Sequence, residues 1–256
     1  MTKIHLDEIQ STNTWLLEAL ADGQPLVDRT VVWTKRQTAG RGQVGNTWEA
    51  EPDKNISFSV LLRPSFLHPR EQFVISELTA LSVCETVALM TPKPVKIKWP
   101  NDIYVGDDKL AGILIENSLQ GMTICHSVIG VGINVNQERW VGNAPNPTSL
   151  KLVLGEELDP EEVLDMVTQR IGMYYRMLEQ DKEKATAEIH NWFCQRLYRS
   201  NGFHPYVDAQ TGESFEARLQ GVDHTGHLHL LPADGGERAY GFKEVRFVLP
   251  CGVTKE

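Results

Sequence analysis

Several things are scarce in this chain of 256 residues. Its four cysteines, Cys84, Cys125, Cys194 and Cys251, lie far apart, with no CxxC and no metal-ligand spacing. That argues against a disulfide framework or a thiolate metal site and fits buried thiols in a reducing cytosol. Positive charge is short as well. The net charge is −9 and no stretch is strongly basic, which argues against a nucleic-acid binder that depends on phosphate contacts. The segment Met1 to Glu8 has no apolar core of the kind a signal peptide needs, and no run approaches the length of a membrane span. Internal repeats and low-complexity tracts are missing too. The expectation is a cytoplasmic globular protein with no membrane contact, to which 41% hydrophobic and 23% charged residues are well suited.

What is present is organised around one loop. The apolar run Thr30–Thr34 predicts a strand, and Lys35 to Trp48 follows with Gly40, Arg41, Gly42, Gln43 and Gly45 close together. Glycines let backbone N–H groups approach a ligand, and an arginine among them offers a planar fork of donors, so the loop reads as an anion cradle. Gly40 to Gly45 also spells GxGxxG. A dinucleotide fold would need a helix to open at once and an acid to end the next strand. Here no helical pattern follows, and the next strand runs into Pro64-Ser65-Phe66.

Ser11, Thr12 or Asn13 predicts the N-cap of a helix carrying Trp15, Leu16, Ala19 and Leu20, stopped at Asp22-Gly23. The same hydroxyls and N–H groups could instead receive a polar ligand. Lys54 to Leu62 alternates like a half-buried strand, and Pro69 to Met90 predicts a long helix burying Val74, Leu78, Leu81 and Ala88. Val95 to Val135 is a run of strands with tight turns at Pro100-Asn101-Asp102 and Gly106-Asp107-Asp108, hence an antiparallel sheet. A loop from Trp140 to Leu150 includes Asn143-Ala144-Pro145. Helices follow over Pro160–Gln180 and Ala185–Tyr198, with Val163, Val167, Ile171, Tyr174, Leu178, Ile189, Trp192, Phe193 and Leu197 as their apolar positions. Arg199 to Gly202 reads as a linker. Short strands with turns near Gln210-Thr211-Gly212, Asp223 to Gly226 and Ala233 to Gly236 then suggest a small β-barrel. The expected division is a main α+β domain over 1–199 and an all-β domain over 200–256.

Asp102 and Asn101 beside a forced turn are either turn chemistry or ligands for a hard cation. Lys109 at a strand edge is either solvated or functional. Gly112, Gly130 and Gly132 inside neighbouring strands weaken them and would leave a slot in the sheet surface. His224, His227 and His229 tempt a metal reading, but hairpin positions explain them and no partner has suitable spacing.

Taken together, Ser11-Thr12-Asn13, Gln37 to Gly42, Lys98 to Asp102, Lys109-Leu110-Ala111-Gly112 and Gly130 to Asn134 resemble the biotin protein ligases, the biotin–[acetyl-CoA-carboxylase] ligases. The resemblance implies a class II synthetase-like catalytic domain with a mixed, largely antiparallel sheet, and an SH3-like C-terminal domain. It implies that biotin and MgATP form biotinyl-5′-adenylate, whose acyl group passes to a lysine of a biotin carboxyl carrier protein domain. Ser11, Thr12, Asn13, Gln37, Gly40, Gly42 and Gln43 would bind biotin, with Gly112 and Gly132 leaving it room. Arg41 and Lys109 would serve both biotin and ATP and carry the catalytic charge. Asn101, Asp102 and Asn134 would face ATP, with Asp102 also facing Mg²⁺, and Trp140 sits in a loop that could cover adenine. Setting a carboxylate against an α-phosphate requires prearranged positive charge, and a mixed anhydride requires that water be excluded.

Two departures stand out. The family loop often carries further arginines where this chain has Gln43 and Asn46, so fewer cations cover the adenylate. The chain also starts close to the first motif, with no helix-turn-helix ahead of it, so specific DNA binding is not expected. Monomer and homodimer both stay open. The competing functions are a lipoate–protein ligase and a non-catalytic biotin or nucleotide sensor.

Overall fold

The computed structural model describes residues 1–43, 45–142, 146–233 and 235–249. Val44, Asp234, Cys251 and the expected loop residues Asn143, Ala144 and Pro145 lie outside the described residues. The first sheet has seven strands: β1 (Thr2–His5), β2 (Thr30–Thr34), β3 (Ile56–Leu62), β4 (Val95–Lys98), β5 (Asp102–Val105), β6 (Asp108–Gln120) and β7 (Thr123–Ile133). Their spatial order is β1-β2-β3-β7-β6-β5-β4. All pairs are antiparallel except β1 with β2, so the mixed sheet of an α+β fold is found as expected. β1 was not foreseen; it is four residues long with mostly exposed side chains, and only its parallel register on β2 makes it a strand.

Each face of the sheet is covered differently. Helix α1 (Thr12–Ala21), capped by Ser11, lies on one face and buries Leu16 with Val32, Leu61 and Val128. Helix α2 (Phe73–Met90) lies on the other with α4 (Pro160–Gln180) and α5 (Lys182–Gln195), while the short α3 (Leu150–Leu154) follows β7. β3 is therefore buried at every position rather than half-buried, because helices cover both of its faces. α4 buries Val163, Val167, Ile171, Tyr174 and Leu178, the stripe its spacing predicts.

α2 departs from expectation twice. It buries residues all round its circumference, and at its end Val87 points inward while Ala88 is exposed. The segment Pro69–Met90 also has the length and apolarity of a membrane span, contrary to the sequence reading. Most of it is buried inside the protein, so its apolarity belongs to a central core helix.

α5 ends at Gln195, and the chain is then stitched to β4: Ile97 N–H donates to the Arg196 carbonyl (2.8 Å) and Tyr198 N–H to the Ile97 carbonyl (2.8 Å). A second sheet follows, ordered β11-β10-β9-β8-β12, from β8 (Phe203–Asp208), β9 (Ser214–Val222), β10 (Leu228–Pro232), β11 (Arg238–Tyr240) and β12 (Val245–Phe247). One buried apolar cluster runs through both sheets, from Val31 to Val245.

Candidate active site

Three central strands place their smallest residues in one row. Ser57 of β3 pairs with Gly132 of β7, which pairs with Gly112 of β6; the next row is Ser59, Gly130 and Leu114. Alternation puts both rows on the face that α1 covers only in part. The cleft above them has a volume of about 1010 Å³. Ser11, Thr12, Asn13, Gln37, Arg41, Gly42, Gln43, Asn101, Asp102, Lys109, Gly112, Gly132 and Asn134 all border it, as does Trp140. Gly40 does not. A Cβ there would lie 2.3 Å from the Trp48 carbonyl oxygen, so this glycine lets the two limbs of the loop close on each other.

The slot left by the strand glycines exists, and the chain's own side chains enter it. A Cβ on Gly132 would fall 2.3 Å from Trp48 Cε2, one on Gly112 3.1 Å from Trp48 Cζ3, and one on Gly130 2.3 Å from Asn13 Oδ1. The indole of Trp48 thus rests on the floor where biotin was expected to find room, its buried Nε1 unpartnered.

At one end the polar groups of α1 form a network. Thr12 N–H donates to Gln37 Oε1 (3.0 Å), and the Ser59 hydroxyl lies 2.7 Å from Thr12 Oγ1 and 2.5 Å from Asn13 Oδ1. Ser59 has one hydrogen and Asn13 Oδ1 can only accept, so Ser59 donates to Asn13 and the Thr12 hydroxyl donates to Ser59 or Gln37. Asn13 Nδ2 donates to Glu116 (2.9 Å), and Arg41 bonds the same carboxylate through Nη2 (2.7 Å) and Nη1 (3.3 Å).

At the other end two lysines share one carboxylate. Asp102 lies 2.7 Å from Lys109 Nζ and 3.9 Å from Lys98 Nζ. Lys98 is nearly buried, its ammonium over the Phe247 ring at 4.9 Å, and burial pushes its pKa below that of an ordinary lysine. Asn101 donates to the Ile113 carbonyl (2.6 Å), which ties the turn to β6. Asn134 donates to the Thr148 carbonyl (2.9 Å), leaving a buried Oδ1 without a partner. Glu116 lies four residues beyond Gly112, roughly 14 Å along β6. Arg41, held there, stands well away from Lys109.

The residues do not fit a resident metal. Asp102 is already neutralised by two ammonium groups, and the described residues contain no group of three His, Cys, Asp or Glu side chains able to hold a metal ion. In the second sheet His229 does have acidic partners, Asp223 (3.1 Å) and Glu237 (2.5 Å), which the spacing had not suggested. They form ion pairs at its surface.

Residues 6–134, which supply most of the cleft's walls and floor, match the biotin/lipoate A/B protein ligase family. The chain belongs to that family. It is 31% identical over 179 residues to the bifunctional ligase/repressor BirA of Bacillus spizizenii, covering 68% of this chain. That alignment spans about half of the relative's length, 53%. The biotin–[acetyl-CoA-carboxylase] ligase of Paracoccus denitrificans is 29% identical over 249 residues, covering 94% of this chain and 99% of the relative. Among solved structures, the biotin protein ligase of Aquifex aeolicus in complex with biotin and ATP superposes with a TM-score of 0.77 at 27% identity, covering 96% of this chain and 99% of that one.

Trp48 in the cleft, and Glu116 and Ser59, which bond the cleft residues Asn13, Arg41 and Thr12, escaped sequence reasoning. They carry no motif of their own; only the register and the loop path bring them in. Lys243, Val245, Arg246, Phe247 and Leu249 close the wall beside Lys98, so the second sheet completes the site. The one sequence signal for them was the cluster of cationic and aromatic residues from Phe242 to Phe247.

Proposed function

We propose that this chain is an ATP-dependent, AMP-forming biotin–protein ligase that modifies a lysine of a biotin carboxyl carrier domain in a biotin-dependent carboxylase. The observation that carries the reading is the polarity of one cleft. A hydroxyl- and amide-lined end, Ser11, Thr12 and Gln37, is joined across a glycine floor to an end bearing Lys98 and Lys109. A bicyclic urea with an acidic tail suits the first, with its carboxylate directed to the second once the Trp48 indole moves off the floor between them. The biotin-ligase names of the relatives favour biotin over lipoate.

In the first step the biotin carboxylate oxygen attacks the α-phosphorus of ATP and pyrophosphate leaves with the broken P–O bond. Lys109 and Lys98 offset the charge that builds where two anions meet. Asp102 holds Lys109 in place, and the unpartnered Asn134 Oδ1 accepts from the nucleotide. Mg²⁺ comes with ATP as part of the substrate, held by phosphate oxygens and by the several waters it usually keeps. In the second step the carrier lysine amine attacks the acyl carbon, AMP leaves, and the amine proton is lost to solvent. The loop residues Gly42, Gln43 and Trp48, which border the cleft, shield the anhydride from water.

ATP–pyrophosphate exchange tests the reading: it should depend on biotin and not on lipoate. Lys109→Ala should lower biotin-dependent exchange by about 10²–10³-fold with an unchanged circular dichroism spectrum. Exchange with lipoate alone would reassign the substrate, and exchange with neither would leave a binding protein.

A further inference from the structure

Two loops border the cleft, one from β2 to β3 carrying Gln37, Arg41 and Trp48, the other from β7 to α3 carrying Asn134 and Trp140. They are joined in two tiers. At the base the joint is buried: Gln137 Oε1 accepts from Asn55 Nδ2 and from Glu51 N–H (3.0 Å), and Asn136 N–H donates to the Lys54 carbonyl (2.7 Å). Near the tips, where Val141 and Gly142 are exposed, a side chain makes the joint among the described residues. Glu49 Oε1 accepts from Val141 N–H (2.8 Å) and Oε2 from Gly142 N–H (2.7 Å). Two successive backbone N–H groups closing on the two oxygens of one carboxylate form an anion-binding nest occupied by the protein itself.

Sequence position explains why this contact can transmit a signal. Glu49 directly follows Trp48, whose indole lies on Gly132 and Gly112, and Val141 directly follows Trp140 on the opposite wall. Any displacement of Trp48 from the floor moves Glu49, and with it the backbone that carries Trp140. The fit is close: a Cβ on Gly142 would stand 2.6 Å from Glu49 Oε2.

We infer that Glu49 is a positioning residue that latches the two loops together, so that a ligand seated on the Gly112–Gly132 floor presets the Trp140 side of the cleft for its second ligand. The inference rests on the reading of the cleft as a biotin and nucleotide site. Its thermodynamic content is a coupling free energy, which must be the same in both directions.

The test measures biotin binding and α,β-methylene-ATP binding by calorimetry, each alone and each with the other saturating; the methylene bridge blocks transfer. In the wild-type protein each ligand should tighten the other, on the order of 5-fold or more. Glu49→Gln should bring that factor close to one. Gly142→Ala attacks the latch from the other loop, pushing the flexible end of Glu49 aside, and should lose the same coupling. A merely structural role would weaken each ligand alone and leave their ratio intact. Coupling that is absent in the wild type, or that survives in both variants, overturns the latch. If neither ligand binds the wild-type protein, it is the assignment of the cleft that has failed.

Discussion

Lys98 and Lys109 differ in their surroundings although they share Asp102, and the difference is measurable. Lys98 is the more buried, and a low-dielectric setting disfavours its charged form more than Asp102 at 3.9 Å favours it. It therefore loses its proton at a pH below the 10.5 of an ordinary lysine. If its charge helps hold the triphosphate, KM for ATP in pyrophosphate exchange should rise on the alkaline side as that proton leaves, while kcat changes less. Lys98→Arg should flatten this limb, because a guanidinium stays charged throughout the range. The exchange reaction is the right readout, since it omits the carrier lysine and its own titration. An identical limb in the arginine variant would remove Lys98 from triphosphate binding.

At the scale of elements, the glycine-thinned strands show what a sequence can and cannot report. Gly112, Gly130 and Gly132 announce a slot because glycine inside a strand has no packing reason to be there. What fills the slot depends on the path of a loop more than sixty residues away, and no local pattern encodes that Trp48 folds back onto Gly132. The helices were legible where one face is apolar, as in α4, and misread where burial is complete, as at the end of α2, where Val87 and Ala88 exchange roles. β1 was invisible for the opposite reason: its residues have little burial, and its identity comes from its partner. Gly40 read as a ligand contact only because it belongs to a glycine-rich run.

The slot itself gives a prediction. Gly132→Ala places a methyl 2.3 Å from Trp48 Cε2 and must expel the indole, whereas Gly112→Ala approaches Cζ3 at 3.1 Å and needs only a small shift. The first should cost about 1–3 kcal/mol in urea unfolding and the second clearly less. Biotin KM should rise with the first. Equal stability in the two variants would mean that Trp48 does not rest on that floor.

Across the whole molecule, the second sheet is anchored by groups that titrate. Trp99 Nε1 donates to the Gly226 carbonyl (2.9 Å), one residue before the Pro100 turn that leads to Asp102, and the His190 and His224 rings meet at a tilt with centroids 4.0 Å apart. Behind them Glu77 of α2 is buried and bonded to His190 Nδ1 (2.6 Å). The Cys194 thiol at 3.7 Å and, at the shorter distance, the Glu77 carboxylate raise the His190 pKa to about 10. Burial, then the charge of His190, lowers that of His224. A raised histidine stabilises the fold fully below its unfolded pKa, about 6.5, and that contribution is lost as pH climbs through about 10. A lowered one acts on the other side, costing stability as pH falls through about 6.5, because the unfolded chain then binds the proton more readily. The urea midpoint should therefore decline from neutral pH both towards pH 10 and towards pH 5. His190→Gln leaves Glu77 buried without its cation, and should cost roughly 3 kcal/mol at pH 7 and abolish the alkaline decline. His224→Gln should instead reduce the acid decline and leave the alkaline one. If His190→Gln unfolds at the wild-type midpoint with the alkaline slope unchanged, the buried pair is not what docks the second sheet beside the Pro100 turn.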